Sequence, residues 1–339
     1  MSDAMKPTIA KVADGQSLSQ EEAKAAFDLI MTGEATQAQI GAFLMALRVR
    51  GETVEEITAA ATTMREQMNK VSAPADAIDI VGTGGDAKGS LNISTATALV
   101  VAGCGIPVAK HGNKALSSKS GAADVLSCLG VNMQAGIPTV ETAIAEAGIG
   151  FMMAPLYHSA MRFVGGPRVE MGTRTVFNLL GPISNPAGVK RQMTGVFAKQ
   201  WVRPLAEVLG RLGSEKVWVV HGSDGMDELT TTGPSYVAEY ANGAVREFEI
   251  DPQDLGLPLA QEEDLKGGDG DYNAAAIHRL LDGEAGAYRD VVLLNAAASL
   301  MVADKVSDMK AGMDMAAQSI DSGKAKEVLA KLVEITNKG

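Results

Sequence analysis

The feature that most constrains the fold is a change of pattern near residue 76, where short β-branched runs begin to alternate with helical segments. That alternation is the signature of a parallel sheet with crossover helices, an α/β unit. Candidate strands are Ile78 to Val81, Pro107 to Ala109, Lys216 to Val220 and Val291 to Leu294. Candidate helices include Ile93 to Ala102, Val140 to Ala147 and Val202 to Leu212. Before residue 76 the chain reads differently, as short helices opened by capping-box pairs: Ser19 with Glu22, Thr36 with Gln39, Thr53 with Glu56. Behind these caps apolar residues recur at i, i+3, i+4, i+7, as in Ile40, Phe43, Leu44 and Leu47. Such Ala-rich helices bury little alone, so they are expected to pack together and against a second subunit. Pro74 marks the linker. Residues 173 to 180 read as a helix stopped by Gly181-Pro182 that returns to the helical part, and the acidic, turn-rich stretch from Gly243 to Gly270 reads as peripheral. The expected division is a helical domain over 1–73, joined by about 168–190, and an α/β domain over 76–167 and 191–339.

Directly after the first strand stands Gly82-Thr83-Gly84-Gly85-Asp86. Glycines there let the backbone take positive φ and aim successive N–H groups at phosphate oxygens, and the following helix adds its positive end. Downstream, Asn92-Ile93-Ser94-Thr95 and Lys110-His111-Gly112-Asn113 supply further phosphate-binding residue types. A nucleotide P-loop is excluded, because no Gly-Lys-Ser/Thr closes a four-residue gap. Gly82, Gly84 and Ala87 fit a dinucleotide fingerprint, yet the next strand ends in Lys110-His111, where a ribose diol would need an acid. A cation there suits phosphate or pyrophosphate.

Asp227 and Glu228 follow the strand Lys216 to Val220 and its loop. Adjacent loop carboxylates are by default solvated, but a multiply charged phosphate ester arrives with Mg²⁺, which prefers carboxylate and hydroxyl oxygens. Asp227, Glu228 and the Ser94 hydroxyl are therefore the candidate metal ligands. Arg168 carries a planar fork suited to a carboxylate, and His158 is a weak candidate for a general base. Cys104 and Cys128 lack metal-ligand spacing, sit in apolar context and are expected to be buried thiols without a role. The net charge of −11 argues against a nucleic-acid partner, and the balance of 46% hydrophobic and 21% charged residues fits a globular chain. The longest apolar stretch, Ala96 to Ala109, is broken by Gly103, Gly105 and Pro107 and is too short to span a bilayer. A cytoplasmic location is expected.

GTGGD, NIST, KHGN, SSKSG, GTRTVFNLLGP and HGSDGMDELT stand here in order, and on these motifs the chain resembles the anthranilate phosphoribosyltransferase family. The resemblance implies a fold similar to the pyrimidine nucleoside phosphorylases, with a small helical domain hinged to an α/β domain, as a homodimer. It implies transfer of the phosphoribosyl group of 5-phosphoribosyl-1-pyrophosphate to anthranilate in tryptophan biosynthesis. Carried over, the donor site would comprise Gly82, Gly85, Asp86, Ser90, Asn92, Ile93, Ser94, Thr95, Lys110, His111, Gly112, Asn113, Lys114, Ala115, Leu116, Ser117, Ser118 and Ala122. Gly82, Asn113, His158 and Arg168 would meet anthranilate, and Ser94, Asp227 and Glu228 would hold Mg²⁺. Lys114 stands where many relatives have Arg, and Ala122 where many have Ser. A nucleoside phosphorylase, a phosphoribosyltransferase with another aromatic acceptor and a non-catalytic phosphosugar-binding protein are the alternatives. The acidic pair speaks against the first, which needs no Mg²⁺ ligands.

Overall fold

The computed structural model describes residues 3–114 and 119–338. Four helices open the chain: α1 (Met5–Ala13), α2 (Gln20–Met31), α3 (Gln37–Arg50) and α4 (Val54–Gln67). The three expected capping boxes form. At the start of α2, Ser19 Oγ accepts the Glu22 N–H at 3.2 Å while the Glu22 carboxylate accepts the Ser19 N–H at 2.8 Å. Gln39 and Glu56 close the same reciprocal pair with Thr36 and Thr53. Glu56 is fully buried, and it also accepts the Leu18 N–H at 2.9 Å and the Arg50 guanidinium, so no lone charge is stranded.

The α/β part then runs β1 (Ile78–Gly82), α5 (Ile93–Gly103), β2 (Val108–Gly112), α6 (Ala122–Cys128), α7 (Ile137–Ala147), β3 (Ile149–Met153) and α8 (Ala154–Tyr157). Two helices, α9 (Arg162–Met171) and α10 (Phe177–Leu180), precede β4 (Arg191–Gly195), α11 (Val202–Arg211), β5 (Lys216–Gly222), β6 (Ser235–Ala241) and β7 (Ala244–Ile250). The chain closes with α12 (Gly270–Leu281), α13 (Ala287–Val302), α14 (Met309–Asp321) and α15 (Lys324–Lys338). Among the described residues the strands form one seven-stranded sheet in the order β3-β2-β1-β4-β5-β6-β7, parallel from β3 to β5 and antiparallel beyond.

The strand period of two decides which face each helical layer covers. Ile78, Ile80, Met193, Trp218 and Val220 face a core built from α5, α13 and α15. Val217, Val219 and Ala238 point the other way, into a core shared with α11 and the opening helices, which Val164, Phe177 and Leu180 of α9 and α10 also join. The expected join near residue 168 thus falls inside α9.

Two expectations are corrected. Val291 to Leu294 is not a strand but the interior of α13, because the run continues through Ala296, Ala297 and Ala298 and the helix is buried nearly all round, leaving no polar face to reveal the 3.6 period. Within residues 173–180 only Phe177–Leu180 is helical. The stretch from Gly243 to Gly270 holds β7, and its end lies against the segment between the glycine turn and α5: Leu91 N–H donates to the Leu265 carbonyl at 2.9 Å, and Gly267 N–H to the Gly89 carbonyl at 2.8 Å.

Candidate active site

The chain leaves β1 toward β2 on one side, while β4 pairs on the other, so the sheet has its switch point between β1 and β4. Ligands in open α/β sheets gather outside the carboxyl ends of the strands at that point. Gly82 and Gly195, in register, end the two strands there, and Gly84 and Gly85 follow with φ of +63° and +70°. The glycine pair at the strand ends has a steric cause. A Cβ on Gly82 would run into the Asp227 carboxylate and one on Gly195 into its carbonyl oxygen, so only glycine lets the loop after β5 come this close.

Asp227 therefore sits on the turn itself, where the Gly84 N–H donates to its Oδ2 at 2.6 Å. Burial first, and then the Asp86 carboxylate, push Asp227 up to about 7, against the opposing effect of that N–H. Burial and then Asp227 drive Glu228 well above the usual carboxylate range, while Lys110 and the Ser94 amide pull it back. Burial thus disfavours the charge of Asp227 and Glu228, and the Asp86 carboxylate beside them adds to it. The loop carrying two of them is braced from below: Asp224 accepts the hydroxyls of Thr230 and Thr232 at 2.6 and 2.7 Å. Asn295 of α13 accepts the Leu229 N–H at 3.1 Å and donates to the Leu229 carbonyl at 2.8 Å.

Lys110, the middle residue of β2, is buried and its Nζ donates to the Ile80 carbonyl at 2.5 Å. Burial lowers its ammonium from the ordinary value, opposed by Asp79, Glu228 and Asp227. Asp79 is also fully buried. It accepts the His111 N–H at 3.2 Å and Asn185 Nδ2 at 2.7 Å, and burial lifts it to about 6 although Lys110 works the other way. Beside this network His111 Nδ1–H donates to the Gly181 carbonyl at 3.2 Å, and the His111 and His158 Nε2 atoms lie 3.2 Å apart. Burial holds both rings neutral, His111 down to about 3 and His158 down to about 4. With Nδ1–H of His111 given to Gly181, its Nε2 is the acceptor and His158 Nε2–H the donor.

The other sequence candidates distribute as follows. Ile93 and Thr95 turn their side chains into the core, and the Ile93 N–H already donates to the Leu91 carbonyl at 2.8 Å, so a ligand at the start of α5 would meet the remaining main-chain N–H groups there. Asn92 Oδ1 accepts Asn273 Nδ2 at 2.8 Å, which fixes its amide. Ser90 bridges to Lys266. Asn113 caps Lys114 N–H at 2.8 Å, and the Ala122 methyl lies beside Gly112. Ala115, Leu116, Ser117 and Ser118 lie outside the described residues. Arg168 is half-buried on α9 with its guanidinium 5.7 Å from the Phe177 ring centre, burial lowers its pKa, and among the described residues no carboxylate pairs with it. A recess of about 500 Å³ between the end of α5 and α14 and α15 is lined by none of these residues.

Sequence reasoning missed Asp79, Asn185, Asn295, Tyr288 and Arg174. An aspartate inside the apolar run Ile78 to Val81 was the visible signal for the first. Tyr288 donates its hydroxyl to the Asn92 carbonyl at 3.1 Å, and burial, then the Glu228 charge, raise its pKa.

Residues 6–68 match the glycosyl transferase family, helical bundle domain, and residues 74–326 the glycosyl transferase family, a/b domain. The chain is 63% identical over 332 residues to the anthranilate phosphoribosyltransferase of Parvibaculum lavamentivorans, covering 98% of this chain and 97% of the relative. It is 61% identical over 331 residues to that of Rhodospirillum rubrum, covering 98% and 95%. The crystal structure of the anthranilate phosphoribosyltransferase from Thermus thermophilus matches with a TM-score of 0.92 at 43% identity, over 99% of this chain and 100% of that one. The Saccharomyces cerevisiae enzyme in complex with PRPP and Mg matches with a TM-score of 0.91 at 28% identity, over 100% and 99%.

Proposed function

This chain belongs to the anthranilate phosphoribosyltransferase family, and on that premise we propose how its own residues serve the reaction. The chain transfers the phosphoribosyl group of 5-phosphoribosyl-1-pyrophosphate to the amine of anthranilate, giving N-(5-phosphoribosyl)anthranilate and pyrophosphate in tryptophan biosynthesis. The observation that carries the site assignment is the meeting of glycine turn, Lys110 and acidic pair at the switch point of the sheet.

The donor's phosphates lie along Gly82, Gly85, Asp86, Ser90 and the start of α5 from Asn92 to Thr95, with Lys110 and the residues His111 to Lys114 beside them and Ala122 behind. Asp227, Glu228 and Ser94 would hold Mg²⁺. Among the described residues no trio of His, Cys, Asp and Glu forms a ready metal cage. Mg²⁺ does not need one, because it keeps waters and substrate oxygens. The hard oxygen donors and the crowding of Asp86, Asp227 and Glu228 favour a divalent cation there, which would relieve their mutual repulsion. When bound, Mg²⁺ supplies charge neutralisation for the departing pyrophosphate.

Arg168 takes the anthranilate carboxylate, with Gly82, Asn113 and His158 beside the ring. Fixing the carboxylate sets the amine over ribose C1. Nitrogen then forms a bond to C1 as the bond from C1 to the pyrophosphate oxygen breaks, and pyrophosphate leaves with the electron pair. The aromatic amine is unprotonated at neutral pH, and its surplus proton leaves after the bond forms. His158 and His111 sit too low, at about 4 and 3, to serve as strong bases at pH 7, so positioning supplies the rate.

The helical unit 1–73, with 168–190, moves over the α/β unit 76–167 and 191–339 and shields the reacting carbon from water. Val49 on α3 and Val169 on α9, each 82% exposed, support a homodimer through the helical unit. Among the described residues no helix is long and apolar enough to cross a membrane, and the reading takes the enzyme to be cytoplasmic. The test is loss of anthranilate fluorescence on adding 5-phosphoribosyl-1-pyrophosphate, with and without Mg²⁺. Loss that requires Mg²⁺ is expected; persistence of the fluorescence would overturn the assignment of acceptor and donor together.

A further inference from the structure

Arg174 belongs to the motif GTRTVFNLLGP but to none of the roles above. It lies between α9 and α10, and its main chain is held by the helical unit, since Arg48 at the end of α3 donates its guanidinium to the Arg174 carbonyl. The Arg174 side chain crosses the other way. Its guanidinium donates to the Gly85 carbonyl in the glycine turn and lies 4.3 Å from the ring centre of Phe197, just beyond β4. Phe197 is itself attached to the turn, donating its N–H to Thr83 Oγ1 at 2.9 Å. Among the described residues no carboxylate pairs with Arg174, so its charge is left for the turn and what the turn binds.

Gly84 and Gly85 both have positive φ, a region glycine enters and leaves at little cost, so this turn has several near-equal conformations unless something selects one. A peptide is planar and trans, so its carbonyl and the next N–H point in opposite directions. Holding the Gly85 carbonyl on Arg174 therefore fixes the Asp86 N–H facing the opposite way.

We propose that Arg174 is a positioning residue for the donor. It holds the Gly85–Asp86 peptide with its N–H presented to the phosphates, and through Arg48 it ties that orientation to the seating of the helical unit over the cleft. This rests on the donor-site reading above. Loss of the tie loosens both donor binding and the exclusion of water. Water then attacks ribose C1, the bond to the pyrophosphate oxygen breaks, and ribose 5-phosphate and pyrophosphate form with loss of a proton to solvent.

The experiment compares wild type with Arg174→Ala and Arg174→Lys, varying each substrate in turn and measuring ribose 5-phosphate beside the transfer product. In Arg174→Ala the KM for the donor should rise about tenfold or more, as for loss of a charged hydrogen bond. The anthranilate KM should stay within about twofold, and ribose 5-phosphate should take a larger share of product. Lysine keeps the charge without the fork or the flat stacking face, so Arg174→Lys should recover only part of the loss. A donor KM and hydrolysis share like those of wild type would overturn the proposal, as would an equal rise in both KM values with a lowered melting temperature, which marks general damage. Both outcomes are read against a wild type that transfers; a wild type that leaves anthranilate fluorescence unchanged would remove the donor-site reading and this inference with it.

Discussion

Asn295→Leu tests whether the acidic loop is held in place from beneath. Asn295 is fully buried in α13, between apolar neighbours, and its side chain grips Leu229 through both main-chain groups, at 3.1 Å for the N–H and 2.8 Å for the carbonyl. Leucine has the same branched outline with bulkier methyl groups, so no cavity opens while the Leu229 N–H and carbonyl lose their partners and the packing tightens. Each buried polar group left unpaired costs about 1 to 3 kcal/mol, and the gain from burying an apolar side chain offsets part of that. A net loss of about 3 kcal/mol is expected, read as a lowered urea midpoint by the fluorescence of Trp201 and Trp218. Glu228 is the residue before Leu229, so the Mg²⁺ concentration for half-maximal rate should rise as well, with the anthranilate KM unchanged. Asn295→Ala should be less stable still, because it adds a cavity to the same loss. Stability within about 0.5 kcal/mol of wild type, the usual range for an inconsequential substitution, together with an unaltered Mg²⁺ curve, would refute the reasoning.

Arg168→Ala should raise the KM for anthranilate about tenfold to a hundredfold and change the donor KM little, since a charged pair with the carboxylate is lost; steady-state kinetics with an unchanged anthranilate KM would discard the role. Asp227→Asn with Glu228→Gln should weaken Mg²⁺ dependence, and a wild-type Mg²⁺ binding curve by calorimetry in that double variant would count against the ligand assignment. The histidine pair predicts acid sensitivity. Each ring has a folded pKa below its ordinary value of 6.5, so the unfolded chain binds the extra proton first and stability falls as pH drops below about 6.5 toward 4 and 3. Between pH 7 and 5 each ring should remove about 2 kcal/mol, and urea midpoints across that range in His158→Asn should show a shallower slope than wild type.

The helical domain was legible because its signals are local: a cap and its partner lie three residues apart, and Ser19, Thr36 and Thr53 carry theirs on the surface of the sequence. The end of β1 was legible for a similar reason, since Gly82 closes a short β-branched run, whereas β2 runs on past the expected Ala109 through Lys110 to Gly112. What failed was whatever depends on a distant partner. Gly195 looks like an ordinary strand residue until Asp227 is seen against it. β4 hides behind Gln192 and Thr194, polar residues on a face that another segment covers: Gln192 Nε2 donates to the Pro182 carbonyl at 3.1 Å and to Thr194 Oγ1 at 2.5 Å. The β6–β7 hairpin could have been found, because Asn242-Gly243 carries the paired positive φ of 52° and 79° that two-residue hairpin turns require. Arg174 could not, since its meaning lies in joining Arg48 to Gly85 across 126 and 89 residues of chain.

On the proposed site assignment, local charges explain how a chain of net charge −11 can take an anionic donor and an anionic acceptor. Lys110 is buried, and Asp79, Glu228 and Asp227 oppose the lowering that burial causes, so the cation assigned to the donor needs no exposed patch. Arg168 meets no carboxylate among the described residues, which on the proposed reading leaves its fork for the acceptor. The histidines add nothing to either account, because burial keeps them neutral, and on the proposed reading a neutral pair neither draws pyrophosphate away from the turn nor competes for the anthranilate carboxylate. A protonated His158 would do both. The low values of the two rings are therefore consistent with positioning rather than proton transfer: the same burial that disqualifies them as bases removes a charge that would misplace either substrate.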